Sequence, residues 1–228
     1  VKNISFSVRA GEVLGIAGLV GSGRTETVRA IFAADSKDAG RITLSGRSLK
    51  IKSPRDAVKS GIGLVPEDRK EQGTILSMSV RTNITMPSLA KVLGPLGLIK
   101  SGKEKKITKR LIERLAIKAN STEDKVTDLS GGNQQKVVLA KWFGADCKVI
   151  ILDEPTRGVD VGAKVEIYNL INELADRGLA IIVISSEMVE VIGICDRVLV
   201  MRQGQIQQIL EKEQLSEENI MRLAIGKN

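Results

Sequence analysis

Apolar residues along this chain cluster in two ways. Short unbroken runs recur at Val13 to Ala17, Ile62 to Val65, Val149 to Leu152, Ala180 to Ile184 and Val198 to Met201. Residues that are apolar at consecutive positions suit strands buried on both faces of a sheet. Val1 to Val8 alternates instead, with Ile4, Phe6 and Val8 on one side, and predicts a half-buried strand ended by Ala10-Gly11. Arg41 to Ser45 predicts another short strand, closed by Gly46.

Between these runs the spacing turns helical, over Thr25 to Ala34, Ala163 to Ala175 and Glu187 to Ile194. Pro54 opens a short helix to Lys59 with Ser53 as its cap, and Ser216 to Ala224 predicts a last helix. Strand, helix and strand in alternation predict an α/β core with a mostly parallel sheet. From about residue 69 to 144 strand signals fade. Charged amphipathic patterns at Lys103 to Ile117 and Asn133 to Phe143 predict a helical subdomain inserted into a core of about 1–68 and 145–228. No internal repeat is visible.

Composition narrows the picture. A length of 228 residues suits one large α/β domain, or a core with one subdomain. The longest purely apolar run, Leu179 to Ile184, is of strand length and too short to span a membrane. The chain shows no signal peptide and no initiator Met, and Val1 reads as mid-strand. Those features predict an excised domain whose N-terminal part is missing. The net charge of +8 invites a nucleic-acid partner. However, the densest basic cluster, Lys100 to Arg114, interleaves with Ile107, Leu111, Ile112 and Leu115 as the solvated face of an amphipathic helix would. Aromatic residues are 2% of the chain, too few for base stacking, so no nucleic acid is expected. Cys147 and Cys195 each adjoin an apolar strand and read as buried hydrophobes in a reducing compartment. The chain has no histidine, which excludes Ser-His and Cys-His chemistry.

Three stretches carry candidate chemistry. Gly18-Leu19-Val20-Gly21-Ser22-Gly23-Arg24-Thr25 lies between a strand and a helix. That is the context of a phosphate-binding loop, in which backbone N–H groups and the helix N-terminus face an anion. Thr25 stands where a hydroxyl can hold Mg²⁺. Arg24 occupies the position where the motif asks for Lys, and a guanidinium does not replace a compact ammonium conservatively. Val149 to Leu152 delivers Asp153 and Glu154 at a strand end. In phosphate-loop ATPases the first carboxylate orders Mg²⁺ and the second polarises the attacking water. Leu129-Ser130-Gly131-Gly132-Asn133-Gln134-Gln135-Lys136 places an N-cap serine and two glycines before a helix whose free N–H groups suit an anion.

This last motif resembles the signature of ATP-binding-cassette ATPases. Its spacing from the phosphate loop and from Asp153-Glu154 fits that family over essentially the whole chain. The resemblance implies a cassette core with an antiparallel β edge region, and it implies ATP and Mg²⁺ as cofactors. It places Gly18, Gly21, Ser22, Gly23, Arg24, Thr25, Glu26, Glu67, Asp153 and Ser186 at the chain's own nucleotide, with Glu154 catalytic. Family cassettes face head to tail. Ser130, Gly131, Gly132, Asn133 and Gln134 would therefore serve a partner's ATP, with Asp160 of Arg157-Gly158-Val159-Asp160 acting across the dimer. The residue that stacks on adenine is expected upstream of Val1.

Departures from the family pattern cluster on the chain's own nucleotide. Arg24 replaces Lys, Glu67 replaces Gln, and Ser186 replaces the γ-phosphate-sensing His. The combination GLVGSGRTE, PEDR, LSGGNQQK and DEPTRGVDVGAK is similar to the second cassette of tandem ATPases that drive ribose-, galactose- or xylose-type sugar importers. The resemblance implies peripheral attachment to the cytoplasmic face of the membrane. Its implied partners are a first cassette in the same protein, a membrane permease and, indirectly, a periplasmic or extracellular sugar-binding protein. The expected activity is ATP hydrolysis coupled to monosaccharide uptake, with a degenerate own site. Two other readings stay open: a self-sufficient soluble cassette ATPase in translation or DNA repair, and a nucleotide-sensing module without turnover.

Overall fold

Each unbroken apolar run becomes a strand of a single six-stranded sheet in the computed structural model, which describes residues 1–226. In chain order the elements are β1 (Val13–Gly18), α1 (Arg24–Phe32), β2 (Ile42–Leu44), β3 (Arg47–Leu49), α2 (Pro54–Lys59) and β4 (Ile62–Val65). There follow α3 (Val80–Thr85), α4 (Ser101–Arg114), α5 (Gly131–Gly144), β5 (Val149–Asp153) and α6 (Val161–Asp176). The chain continues with β6 (Ala180–Ile184), α7 (Met188–Ile194), β7 (Arg197–Arg202), β8 (Gln205–Glu211) and α8 (Glu217–Ile225). The sheet order is β4-β5-β6-β1-β7-β8. Strand β1 runs parallel to β6 and β7, β5 runs parallel to β6, and β8 runs antiparallel to β7. Strands β2 and β3 form a separate antiparallel pair.

Internal contacts divide the chain into two units. The first comprises Val1–Leu64, Lys148–Pro155 and the chain from Ile171 onward. Its core is the sheet, where Leu14, Ile16, Ile150, Ile151, Ile181 and Ile184 are fully buried. Gly15 on β1 shows how closely a helix lies on this sheet. A Cβ there would stand 2.8 Å from Val191 Cγ1 on α7 and 2.9 Å from Cys195 Sγ. Because β1, β5 and β6 are parallel, their C-terminal ends share one edge, and Gly18, Asp153 and Ile184 all arrive there. Ligands of open parallel sheets bind at that edge.

The second unit, Val65–Cys147 with Thr156–Leu170, is helical. Val80, Ile84, Leu111, Val137 and Val138 form its apolar interior. Glu104 on α4 is buried there, ion-paired with Arg81, and accepts a hydrogen bond from Thr85 Oγ1 at 2.7 Å. A buried carboxylate persists only with such partners. Among the described residues no helix is long and apolar enough to cross a membrane.

The structure corrects the expectation at the N-terminus. Ile4, Phe6 and Val8 are half-buried, as their alternation requires, yet residues 1–8 form no strand. A side-chain pattern reports which face is covered, whereas a strand also needs a neighbouring backbone edge. Here the backbone is tied only at points, by Lys2 N–H donating to the Gly204 carbonyl at 2.8 Å and Arg197 Nη2 donating to the Ser7 carbonyl at 2.9 Å. Three elements were not anticipated from the pattern. Strands β3 and β8 lie at sheet edges and carry mostly polar residues. Helix α3, Val-Arg-Thr-Asn-Ile-Thr, is rich in β-branched residues that favour strands. It forms because Ser79 caps it and buried Asn83 ties it to Ile75, accepting from the Ile75 N–H at 2.8 Å and donating to the Ile75 carbonyl at 3.0 Å.

Candidate functional site

The loop after β1 is shaped to expose backbone donors. Gly23 caps α1 with φ 99°, a left-handed conformation, and offers no side chain to the helix N–H groups. Gly18 is required by space. A Cβ there would stand 2.4 Å from the Met201 carbonyl and 2.6 Å from Ser22 Oγ. Ser22 Oγ is itself buried and has no hydrogen-bond partner among the described residues. An orphaned hydroxyl beside an uncapped helix N-terminus suits an anion with several acceptor oxygens, such as a polyphosphate.

Five further predicted residues come together at this edge. Thr25 Oγ1 donates to Asp153 Oδ1 at 3.4 Å. Burial, helped by the neighbouring Glu154 charge, pushes the Asp153 carboxyl up to about 6 against the Thr25 hydrogen bond and the Arg24 charge. A buried carboxylate and a hydroxyl are hard oxygen donors, and Mg²⁺ completes such a set with water and phosphate oxygens. The residues present therefore fit Mg²⁺ with a nucleotide. Glu154 follows directly, with φ 49°, which turns its side chain away from the strand direction. Ser186 Oγ donates to Glu154 Oε2 at 3.1 Å. Arg24 Nη1 donates to the Ser185 carbonyl at 2.9 Å. Glu26 is exposed on the first turn of α1.

The remaining predicted residues lie in the second unit. Ser130 caps α5, and Asn133 Nδ2 donates to Ser130 Oγ at 2.8 Å. Gly132 is buried against the start of α6, where a Cβ would stand 2.7 Å from Ala163 Cβ. Asp160 accepts from the Ala163 N–H at 3.0 Å, so it caps α6 while remaining exposed. Together with Lys136 and Glu166, which are ion-paired at 2.5 Å, Ser130, Gly132, Asn133 and Asp160 line one cleft. Gln134 does not join them in lining this cleft. It is buried, and its Nε2 donates to the chain's own Val126 and Leu129 carbonyls at 3.2 and 3.1 Å. One residue of helix rotation separates the half-exposed Asn133 from the inward Gln134.

Glu67 is exposed and ion-paired with Arg157. Two contributors were missed in the sequence. Ser185, not Ser186, supplies the carbonyl that holds Arg24. Arg69 donates to the backbone of residues 157 and 158. Neither left a local signal, since backbone acceptors have no sequence signature.

Residues 1–157 match the family model described as "ABC transporter". Over 225 residues the chain is 58% identical to a protein of Rhizobium meliloti (strain 1021) named ribose import ATP-binding protein RbsA 3, covering 99% of this chain and 45% of that protein. It is 56% identical to ribose import ATP-binding protein RbsA of Geobacillus kaustophilus (strain HTA426), covering 100% of this chain and 46% of that one. The chain thus spans a little under half the length of the curated relatives it matches. Among solved structures, the ATP-binding cassette MJ0796, a dimer bound to ADP and Pi, superposes with a TM-score of 0.79 at 20% identity over 92% of this chain and 90% of that one. The ADP conformation of the cassette MJ1267 superposes with a TM-score of 0.78 at 25% identity over 98% and 91%. These likenesses establish the fold: a mixed α/β cassette on a mostly parallel sheet.

Proposed function

This chain belongs to the ABC transporter family, and on that premise we propose that it is the second nucleotide-binding cassette of a tandem protein powering import of a ribose-type monosaccharide. The names of its relatives support the substrate class, its share of their length suits one cassette of a tandem pair, and the combination of its four motifs supports the second position. The first unit is the nucleotide core and the second its helical subdomain. The partners are a first cassette, a membrane permease on whose cytoplasmic face the protein sits, and a sugar-binding protein outside.

The chemistry assigned to each residue follows from its placement. Backbone N–H groups of Gly21 and Gly23 and the α1 N-terminus bind the phosphates. Thr25 would hold Mg²⁺ directly and Asp153 would hold it through bound water, and the ion would supply positive charge against the phosphates. Glu154 accepts a hydrogen bond from the attacking water and orients it. Ser130 and Asn133, on the exposed start of α5, close on the ATP of the first cassette, and Asp160 acts across the dimer. The chain's own site binds nucleotide but turns over poorly.

The observation that carries this asymmetry is the fate of two of the three substituted groups. Arg24 donates to the Ser185 carbonyl and Ser186 donates to Glu154, so both engage their own chain. A serine hydroxyl supplies no cationic donor for a γ-phosphate, and losing one such contact costs ~3 kcal/mol, or about a hundredfold in rate. The test is steady-state ATP hydrolysis by the full tandem protein with its permease, with and without ribose. Gly132→Asp is expected to abolish turnover, while Glu154→Gln leaves more than half of it. Equal loss from both variants would overturn the asymmetric reading.

A further inference from the structure

Arg69 is assigned no part by the family comparison, yet it occupies a pivotal place in the second unit. Its Nη1 donates to the Arg157 carbonyl at 2.6 Å and its Nη2 to the Gly158 carbonyl at 3.1 Å. Two successive carbonyls face one guanidinium because Gly158 has φ 66°. The other side of the same group abuts the turn before α5, where a Cβ on Gly131 would stand 2.9 Å from Arg69 Nη2. A methyl group on Gly131 would push the guanidinium away from the position in which it meets the two carbonyls.

The backbone that carries Arg69 is held at both ends. Asp68 accepts from the N–H groups of Lys70 and Glu71 at 2.8 and 3.0 Å, and Thr74 Oγ1 donates to the Arg69 carbonyl at 3.0 Å. Arg69 Nε is buried and has no acceptor among the described residues. Buried donors without a partner are uncommon in folded proteins, so this one calls for a reason. Bridging two carbonyls in fixed geometry supplies one, because the planar fork matches it and a lysine ammonium does not.

We propose that Arg69 is a positioning residue that locks the loop leading to Asp160 onto the Ser130-Gly131 turn, so that both meet the first cassette's ATP as one surface. Arg69 touches no nucleotide in this scheme. It acts through Gly131 on one side and through the Arg157-Gly158 backbone on the other. The inference rests on the proposed role of Ser130 to Asn133 and Asp160 in serving the partner's ATP.

The experiment uses the full tandem protein with its permease and compares Arg69→Lys and Arg69→Ala with Gly132→Asp. Readouts are kcat, KM for ATP, thermal midpoint, and equilibrium MgATP binding to the Glu154-bearing site with the first cassette's phosphate loop disabled. Both Arg69 variants are expected to lose at least about tenfold in kcat, the factor carried by one charge-assisted hydrogen bond. MgATP binding and thermal midpoint stay as in the unmodified protein, and Lys does not rescue. Full activity in Arg69→Lys alongside an inactive Gly132→Asp would overturn the positioning role alone. So would a loss of MgATP binding or of thermal midpoint that tracks the loss of kcat, which marks a merely structural residue. An active Gly132→Asp would overturn the underlying reading, and the proposal with it.

Discussion

Ser186 and Glu154 are joined by a hydrogen bond of 3.1 Å between a hydroxyl at the end of one parallel strand and a carboxylate at the end of its neighbour. The relationship follows from register, since Asp153 on β5 pairs with Ile184 on β6. The residues just beyond these ends are therefore neighbours whatever their chemistry. In this chain the neighbour of the carboxylate is a donor too short and too weak to serve both Glu154 and a phosphate.

If that bond merely occupies an unproductive carboxylate, removing it changes little. Ser186→Ala in the full tandem protein is expected to keep ATP turnover within about twofold, well short of the ~3 kcal/mol that a phosphate-sensing donor carries. Steady-state phosphate release measures it. A hundredfold drop would give Ser186 the family histidine's role.

Asp153 makes a prediction with a definite sign. Its carboxyl is pushed up to about 6 in the folded chain, from an ordinary value of 3.8, chiefly because it is buried. Between those values the native state binds the proton more tightly than the unfolded chain does. Nucleotide-free stability therefore falls as pH rises through that window and is level above it. The whole effect is roughly 3 kcal/mol at about 1.4 kcal/mol per unit. Asp153→Asn, which removes the buried charge, is expected to raise the thermal midpoint at pH 7 by several degrees and leave it unchanged at pH 4. Mg²⁺ competes with the same proton, so the affinity for Mg²⁺ with nucleotide weakens below pH 6. Calorimetric scans at pH 4, 5 and 7 check the first part, and Mg²⁺ titrations with bound ADP check the second.

How much of this was legible in the sequence depends on where the determinants lie. Leu14, Ile151 and Ile182 sit in strands covered on both faces, so every position is apolar and the strands announce themselves. Ser130 and Ser53 act as helix caps through contacts three residues away, which short-range pattern captures. Strand β8 escaped because an edge strand carries Gln205, Gln207 and Gln208 toward solvent. Residues 1–8 misled because half-burial does not supply a backbone neighbour. Asn133 and Gln134 could not be ranked by motif alone, since helix phase decides which of the two faces inward. The Arg69 contact spans 88 positions and ends on backbone carbonyls, so nothing near either residue foretold it.

Gly15 tests the packing that brings the phosphate loop to its edge. Gly15→Ala would drive a methyl group to 2.8 Å from Val191 and 2.9 Å from Cys195, closer than real contacts allow. Over-packing of this kind costs about 1–3 kcal/mol. Chemical denaturation of the variant is expected to show a lower midpoint with an unchanged slope. A shift below about 0.5 kcal/mol would mean that α7 can move off the sheet, since that is the range of substitutions away from packed sites.

The two cysteines report on burial in both units, Cys147 at the end of a segment of the second and Cys195 in the first. Cys147 and Cys195 are both free and buried. Burial raises both thiols, that of Cys147 to about 12, so little thiolate exists at neutral pH. Alkylation requires the thiolate and a path to it. Both should therefore resist iodoacetamide at pH 8 in the native protein and react fully in denaturant. Cys195 lies against β1, and Gly15→Ala presses on its sulfur, so that variant should expose Cys195 first. Mass spectrometry of timed alkylation distinguishes the two sites. Fast labelling of Cys195 in the unmodified protein would contradict the tight contact between α7 and the sheet.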